Sequence, residues 1–532
     1  MFAKARKTLM VAFLAAGMLL GVQTGAKAID FKAQGEWIVG FGVGDGNLTS
    51  RNADRSRNNE DQFQAAQRVR LQLDAVASEA LSGTVYFEIG TQHWGAAGDG
   101  AALGADGTNQ IKVKNAYIDW AVPQTDLKVR MGLQAVLLPN AAGGSAILDA
   151  DGAAVTANYK FNDNVGLTAM WLRPANDNYD GWNDTRWDAG GTTRDRNYLD
   201  NMDLFMLSLP LTFDGIEVTP WVMYGMLGKN ALSGYDAFYV RNANQPGWHA
   251  ENGGAWGTED GDFASSLTSY GPNLNVDGSL RRTSKAYGSM FWAGLPVTLT
   301  LWDPLNIEFD INYGFVESMG SYWVDRRNSG DFRRASSQRQ GWLVKALVEY
   351  KFDWGVPGIF GWYASGDDGN VKNGSERMPS ISGAGSFTSF MGYGGIDWGV
   401  KDNFIEWNAD FSGTWGVGLQ VRDVSFIEDL SHTFRVALWG GTNSPSMVKY
   451  MASKDGWKDG GINSPYLTTN DNLLEFNLDN EYKMYENFKV NLDLGYVVNM
   501  IDSGTWNRSY LDGRGPNKQD AWKAQVAFTY SF

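Results

Sequence analysis

The stretch Ala521-Trp522-Lys523-Ala524-Gln525-Val526-Ala527-Phe528-Thr529-Tyr530-Ser531-Phe532 decides the fold. Counting back by twos from Phe532 collects Tyr530, Phe528, Val526, Ala524 and Trp522, while the other register holds Ser531, Thr529, Ala527, Gln525 and Lys523. Strand side chains alternate between faces, so one face is aromatic and the other polar, over about the length that crosses a bilayer as a tilted strand. A water-soluble sandwich could also end on such a strand. The rest of the chain chooses between them.

The N-terminus points to export. Lys4, Arg6 and Lys7 precede an apolar run over 9–22 that is too short to span a membrane, and Ala26-Lys27-Ala28 has the small-x-small form of a cleavage site. Residues 1–28 read as a signal peptide cut after Ala28, leaving 29–532 as one domain. Loss of four basic residues takes the formal charge from −15 to about −19. An acidic surface disfavours nucleic acid as a partner, because like-signed fields repel on approach. The chain has no cysteine, which removes disulfides and thiolate metal sites from consideration, and the sequence implies no cofactor.

Aromatic residues and glycine are abundant, with 22 Trp, 22 Tyr, 27 Phe and 64 Gly, yet no apolar run after the signal is long enough for a membrane helix. Alternation takes its place. In 62–76, Phe63, Ala65, Gln67, Val69, Leu71 and Leu73 alternate with Gln64, Arg68, Arg70, Gln72 and Asp74; across a Ser78-Glu79 turn, Leu81, Val85, Phe87 and Ile89 alternate with Ser82, Thr84, Tyr86 and Glu88. Further strands read at 34–43, 110–122, 127–138, 153–161, 165–173, 199–213 and 216–228. Short turns at 123–125, 162–164, 214–215, 303–306, 353–357, 428–429 and 485–487 alternate with long connections at 174–198, 229–280, 319–338, 366–412, 442–470 and 502–520, all rich in Gly, Asn, Asp and Ser.

Strict alternation of short turns and long loops is the asymmetry of bacterial membrane barrels, with short turns in the periplasm and long loops outside. The fold expected is all-β: a transmembrane antiparallel up-and-down barrel of 18 strands, with 16 as the alternative. Hydrocarbon offers no hydrogen-bond partner, so the last strand must pair with the first. Trp120, Phe161, Phe213, Trp302, Phe352, Trp354, Phe488 and Phe532 stand beside short turns, as an interfacial girdle would.

With its terminal Tyr530-Ser531-Phe532, its turn and loop alternation, and a fifth strand Leu127-Lys128-Val129-Arg130-Met131-Gly132-Leu133-Gln134 leading into an inserted-looking loop, the chain resembles the trimeric general porins of Gram-negative outer membranes. Among these it resembles particularly the homotrimeric porin family of sulfate-reducing bacteria. The resemblance implies a homotrimer in the outer membrane, in contact with its lipid and lipopolysaccharide. It implies that Phe528, Tyr530 and Phe532 are the signal read by the barrel-assembly machinery, and that loop 93–109 latches onto a neighbouring subunit. It also implies that the loop after the fifth strand, 139–152, folds into the lumen as a constriction carrying Asp149 and Asp151; a plain extracellular loop is the other reading.

Charge placement adds an expectation of its own. Arg68 and Arg70, and Lys128 and Arg130, lie opposite apolar faces, and a basic residue turned to lipid at mid-depth costs about 2–4 kcal/mol. Both pairs are expected in the lumen. Lys112 and Lys114 join them, although the alternation slips near Asn115. Six cations facing two aspartates would set up a transverse field across the pore.

The function implied is a porin for passive diffusion of ions and small hydrophilic solutes. A sugar-type channel with an aromatic-lined lumen is the alternative. A barrel enzyme is the remote one, since there is no G-x-S-x-G or H-E-x-x-H and His93, His249 and His432 are far apart. Arg326, Arg327, Arg333, Arg334 and Arg339 gather around one long loop, where they could attract anions or lipopolysaccharide or simply be solvated. Asp367-Asp368-Gly369-Asn370 lacks the spaced ligands of a calcium loop.

Overall fold

The computed structural model describes residues 29–46, 48, 62–94, 111–175, 201–229, 266–269, 274, 276–327, 329–383, 385–389, 411–451, 466–507 and 518–532. The signal peptide, residues 95–109 of the latch loop 93–109, and His249 lie outside the described residues.

Twenty strand segments form one closed antiparallel sheet. They are β1 (Asp30–Asp45), β2 (Gln62–Ser78), β3 (Leu81–His93), β4 (Ile111–Ala121), β5 (Leu127–Leu137), β6 (Asp149–Lys160), β7 (Gly166–Ala175), β8 (Met202–Ser208), β9 (Leu211–Phe213), β10 (Ile216–Val218) and β11 (Trp221–Gly228) in the first half. After β12 (Val276–Arg282) come β13 (Tyr287–Leu299), β14 (Leu305–Val316), β15 (Gly320–Arg326), β16 (Asp331–Ser336), β17 (Arg339–Tyr350), β18 (Val356–Ala364), β19 (Thr414–Ile427), β20 (Leu430–Gly441), β21 (Asn472–Tyr485), β22 (Phe488–Asn499) and β23 (Ala521–Ser531). Pro210 separates β8 from β9, and Pro220 separates β10 from β11; a proline has no N–H to give the ladder. Each interrupted pair is one stave, so the barrel has 18. β12, β15 and β16 form a separate three-stranded sheet, where the long connections 229–280 and 319–338 are expected to be loop.

Closure runs through the terminal stretch. β1 pairs with β23 from Glu36↔Ser531 to Asp45↔Trp522, and Gly35 and Phe532 exchange backbone hydrogen bonds of 2.9 and 3.0 Å. Among the described residues no strand edge of the wall is left open, as hydrocarbon requires. Residues paired directly across a ladder share a face. Trp37, Val39 and Phe41 therefore stand outward with Tyr530, Phe528 and Val526, while Lys523, Gln525, Ala527 and Thr529 point inward and are buried. The outward register is predominantly apolar, with Leu207 at 51% and Leu419 at 57% exposed. Most of the girdle aromatics are exposed beside their turns; Phe352 and Trp354 stack at 5.6 Å.

Candidate functional site: a lumen crossed by two loops

The lumen has two unlike halves. Near the short turns its wall is polar, carrying Glu36, Arg70, Asp119, Arg130, Glu349, Arg422, Arg435 and Glu481 in the inward register. Toward the long loops the inward register of β8, β11 and β13 is Met202, Leu204, Met206, Trp221, Met223, Met290 and Trp292, all buried. Apolar inward residues need a covering, and two inward-folded loops supply it.

The first loop, 138–148, follows β5 as expected. Its Ala142, Ala146, Ile147 and Leu148 are buried, and Gly143 and Gly144 turn the chain at φ 66° and 80°, which glycine adopts without strain. Lys345, on β17 across the barrel, donates to the Gly144 carbonyl and lies 3.2 Å from Asp310 with its side chain sealed from solvent.

The second loop, 365–389, leaves β18 and runs across the lumen. Arg339 donates to the carbonyls of Arg377 (3.1 Å) and Met378 (2.8 Å), and Trp292 Nε1 to that of Pro379 (3.0 Å). The loop lies so close to the wall that a Cβ on Gly341 would stand 2.5 Å from Met378 N. Ile381 and Ser382 donate to the Ile147 carbonyl at 2.9 and 3.1 Å, and Asp149 N donates to Ser382 O at 2.7 Å, so the two loops are bonded to each other. Phe387 stacks 4.8 Å from Phe360 and 5.8 Å from Trp362. At Ser389 a second buried lysine holds the loop: Lys523 Nζ is 2.8 Å from the Ser389 carbonyl and 3.0 Å from Asp493. Asn477 adds a 2.6 Å bond to Ser389 Oγ. A buried lysine without a counter-ion is costly, so each pin is also an ion pair with the wall.

At the root of this loop, outside the wall, the Tyr466 hydroxyl donates to Asp367 at 2.5 Å, and Asp368 N donates to Glu376 at 3.1 Å. Burial, reinforced by the charges of Asp368 and Asp367, raises the Glu376 carboxyl to about 7. The Asp367-Asp368-Gly369-Asn370 run is thus bonded into the loop root, with Asn370 N on Asp368 at 2.7 Å.

The charges expected in the lumen are largely there, but paired on their own wall. Arg70 meets Glu88 at 2.8 Å and Glu36 at 3.5 Å, and Arg68 stands 3.8 Å from Glu36. Arg130 grips Asp119 through two bonds of 2.7 and 2.9 Å and lies 4.0 Å over the Tyr117 ring. Lys112 sits opposite Glu88 in the ladder, and Lys128 is exposed near the turn. Arg422 with Glu349 (2.7 Å), Arg435 with Asp479, and Lys489 with Glu481 (3.2 Å) repeat the arrangement on the far wall. Neutralisation strand by strand replaces the expected transverse field.

Four of the residues singled out in the sequence stand elsewhere. Asp149 and Asp151 belong to β6 rather than to the loop, and they lie opposite Leu137 and Ala135 in the outward register rather than across the lumen from Arg68, Arg70 and Arg130. Lys114 is the extra residue of a bulge, between Tyr86↔Asn115 and Phe87↔Val113, and it forms an ion pair with Asp151. Arg339 is buried against the second loop, neither solvated nor open to an anion. Phe528 and Tyr530 face outward, and Phe532 packs 5.8 Å from Trp37. Among the described residues the inward tryptophans Trp221, Trp292, Trp362 and Trp439 are buried, Trp292 and Trp362 against the second loop, so none of these four presents an open face to the lumen.

The fold thus defines a membrane-type barrel with an internal constriction. The sequence matches no protein-family model and no curated protein. Among solved structures, similar ones include Pseudomonas aeruginosa OpdQ (13% identity, TM-score 0.46, covering 94% of this chain and 98% of that one). The outer membrane protein OpdK of the same organism (10%, 0.46, 94% and 99%) and Acinetobacter baumannii OccAB3 (10%, 0.45, 94% and 100%) are also similar.

Proposed function

We propose that this protein is an outer-membrane channel through which ions and small hydrophilic solutes diffuse passively, narrowed by the two inward loops. The observation that carries the reading is the pairing of an apolar outer face with an inner wall of ion pairs near the short turns, because a barrel with those two surfaces is stable only with lipid outside and water inside. Export by the signal peptide and trimeric assembly belong to the same reading. Selectivity follows the wall charges nearest the narrow point, and these are paired, so discrimination between anions and cations should be weak.

Planar-bilayer recording of the purified protein under a salt gradient tests it. The expected result is stepwise conductance with a reversal potential near zero, moving toward cation preference in Arg130→Ala, which leaves Asp119 without its partner. Stepwise events in threes would support the trimer. A folded barrel that never conducts would sink the channel reading.

A further inference from the structure

One row on the inward face of β7, β8, β11 and β13 consists of soft side chains. Met170 is paired directly with Met206, Met206 with Met223, and Met223 with Trp292, so three thioethers and an indole stand side by side across four strands. Directly opposed residues share a face, with their Cβ atoms about 5 Å apart. A methionine sulfur sits two bonds beyond its Cβ on an unbranched stem, so Met170 and Met223 can both lean toward Met206 and bring three sulfurs together. All four side chains are buried, and Trp292 is held in place by its Nε1 bond to the Pro379 carbonyl of the second loop at 3.0 Å.

Filling the core does not account for that choice of residue. The second loop covers two walls, at Trp292 and at Phe360, and on β17–β23 the buried apolar residues are leucine, valine, alanine and aromatics such as Leu343, Phe360 and Trp439, with no methionine among those described. Met170, Met202, Met206, Met223 and Met290 instead gather on β7–β13. Beside the row on that face, among the described residues, the wall offers the hydroxyls of Thr156, Thr168 and Ser208 and no carboxylate or imidazole. A divalent, oxygen-seeking cation finds no charge there to offset its own.

We propose that Met170, Met206 and Met223 form a binding site for a soft monovalent cation, Cu(I) or Ag(I), with the Trp292 indole beside it. Thioether sulfur is a soft ligand suited to such ions, a single charge costs less to bury among neutral ligands than a double one, and an aromatic π system is a further uncharged partner for a cation. The ion binds without change of oxidation state, and no proton is released, because a thioether carries none. Such a site needs the barrel and its second loop, but not conduction.

The test titrates the detergent-solubilised full chain with silver nitrate in chloride-free buffer, by calorimetry at pH 5 and pH 7.5. It compares Met170→Leu/Met206→Leu/Met223→Leu with the control Met202→Leu/Met319→Leu. Leucine nearly matches methionine in volume, so the triple variant should keep the heat-modifiable fold. The unaltered protein should take up one equivalent with a submicromolar dissociation constant at both pH values, above the weak background of exposed methionines such as Met131 and Met484. The triple variant should bind that equivalent at least a hundredfold more weakly, and the control should keep it. X-ray absorption of protein loaded with Cu(I) in the absence of oxygen should show sulfur around the metal. No tight equivalent in the folded protein, equal binding by the triple variant, or loss of binding at pH 5 overturns the proposal. Should the triple variant fail to fold, Met206→Leu alone decides: tenfold weaker binding supports the site and unchanged binding overturns it. Tight binding by a protein that never conducts leaves the site standing and removes the channel instead.

Discussion

Lys345 and Lys523 are single side chains holding loops to a wall, and removing either leaves a buried aspartate uncompensated. Breaking a buried pair from one side costs about 3–5 kcal/mol, whereas removing both charges is often neutral. Lys345→Met should therefore lower the urea midpoint of the lipid-embedded protein and, by freeing Gly144, raise its conductance. Adding Asp310→Leu should recover the stability but not the narrow pore. Glu376 makes a different kind of prediction. Its folded-state carboxyl titrates near 7, above its unfolded value, so the folded loop root holds more protons and loses stability as pH rises from about 4.5 through 7. Hydrogen exchange in 366–383, corrected for intrinsic rates, should quicken between pH 5 and pH 8, and Glu376→Gln should flatten that response.

Legibility in the sequence also divides at single residues. The outward placement of Asp149 and Asp151 follows from alternation alone, since Ala153, Val155, Ala157 and Tyr159 continue their register, but a loop expectation hid it. Lys114 could not be placed that way, because one extra residue in β4 reverses every face beyond it.

At the scale of elements, wall strands were readable and internal packing was not. A stave declares itself through period two within its own residues. The second inward loop depends on partners remote in sequence, such as Lys523 for Ser389 at 134 positions, and the first on Lys345 for Gly144 at 201. The second loop's Gly and Ser content reads as solvated loop, but small residues also allow close approach: a Cβ on its Gly383 would stand 2.2 Å from the Ala146 carbonyl oxygen of the first loop. Replacing 376–389 by a short Gly-Ser linker should raise conductance several-fold. It should also expose Phe360 and Trp362, visible as a red shift in tryptophan emission, while far-ultraviolet circular dichroism keeps the strand signature. Unchanged conductance would place the narrow point elsewhere.

For the whole molecule, the seam is the decisive contact, and deletion of Phe532 removes both of its backbone bonds to Gly35 together with the ring packed on Trp37. The truncated chain should show a lower heat-modification temperature on gels than the full one. The seam also sets an order of events. Its partners are roughly 500 residues apart, so closure carries nearly the largest loop-entropy penalty the chain can incur and cannot begin until both strands exist in one place. Every earlier hairpin can zip as it emerges, yet each growing intermediate keeps two open edges. A chain travelling toward its membrane therefore spends its whole transit as a sheet able to pair with any other copy, and survival on that journey, more than the finished barrel's stability, is what the last strand to arrive determines.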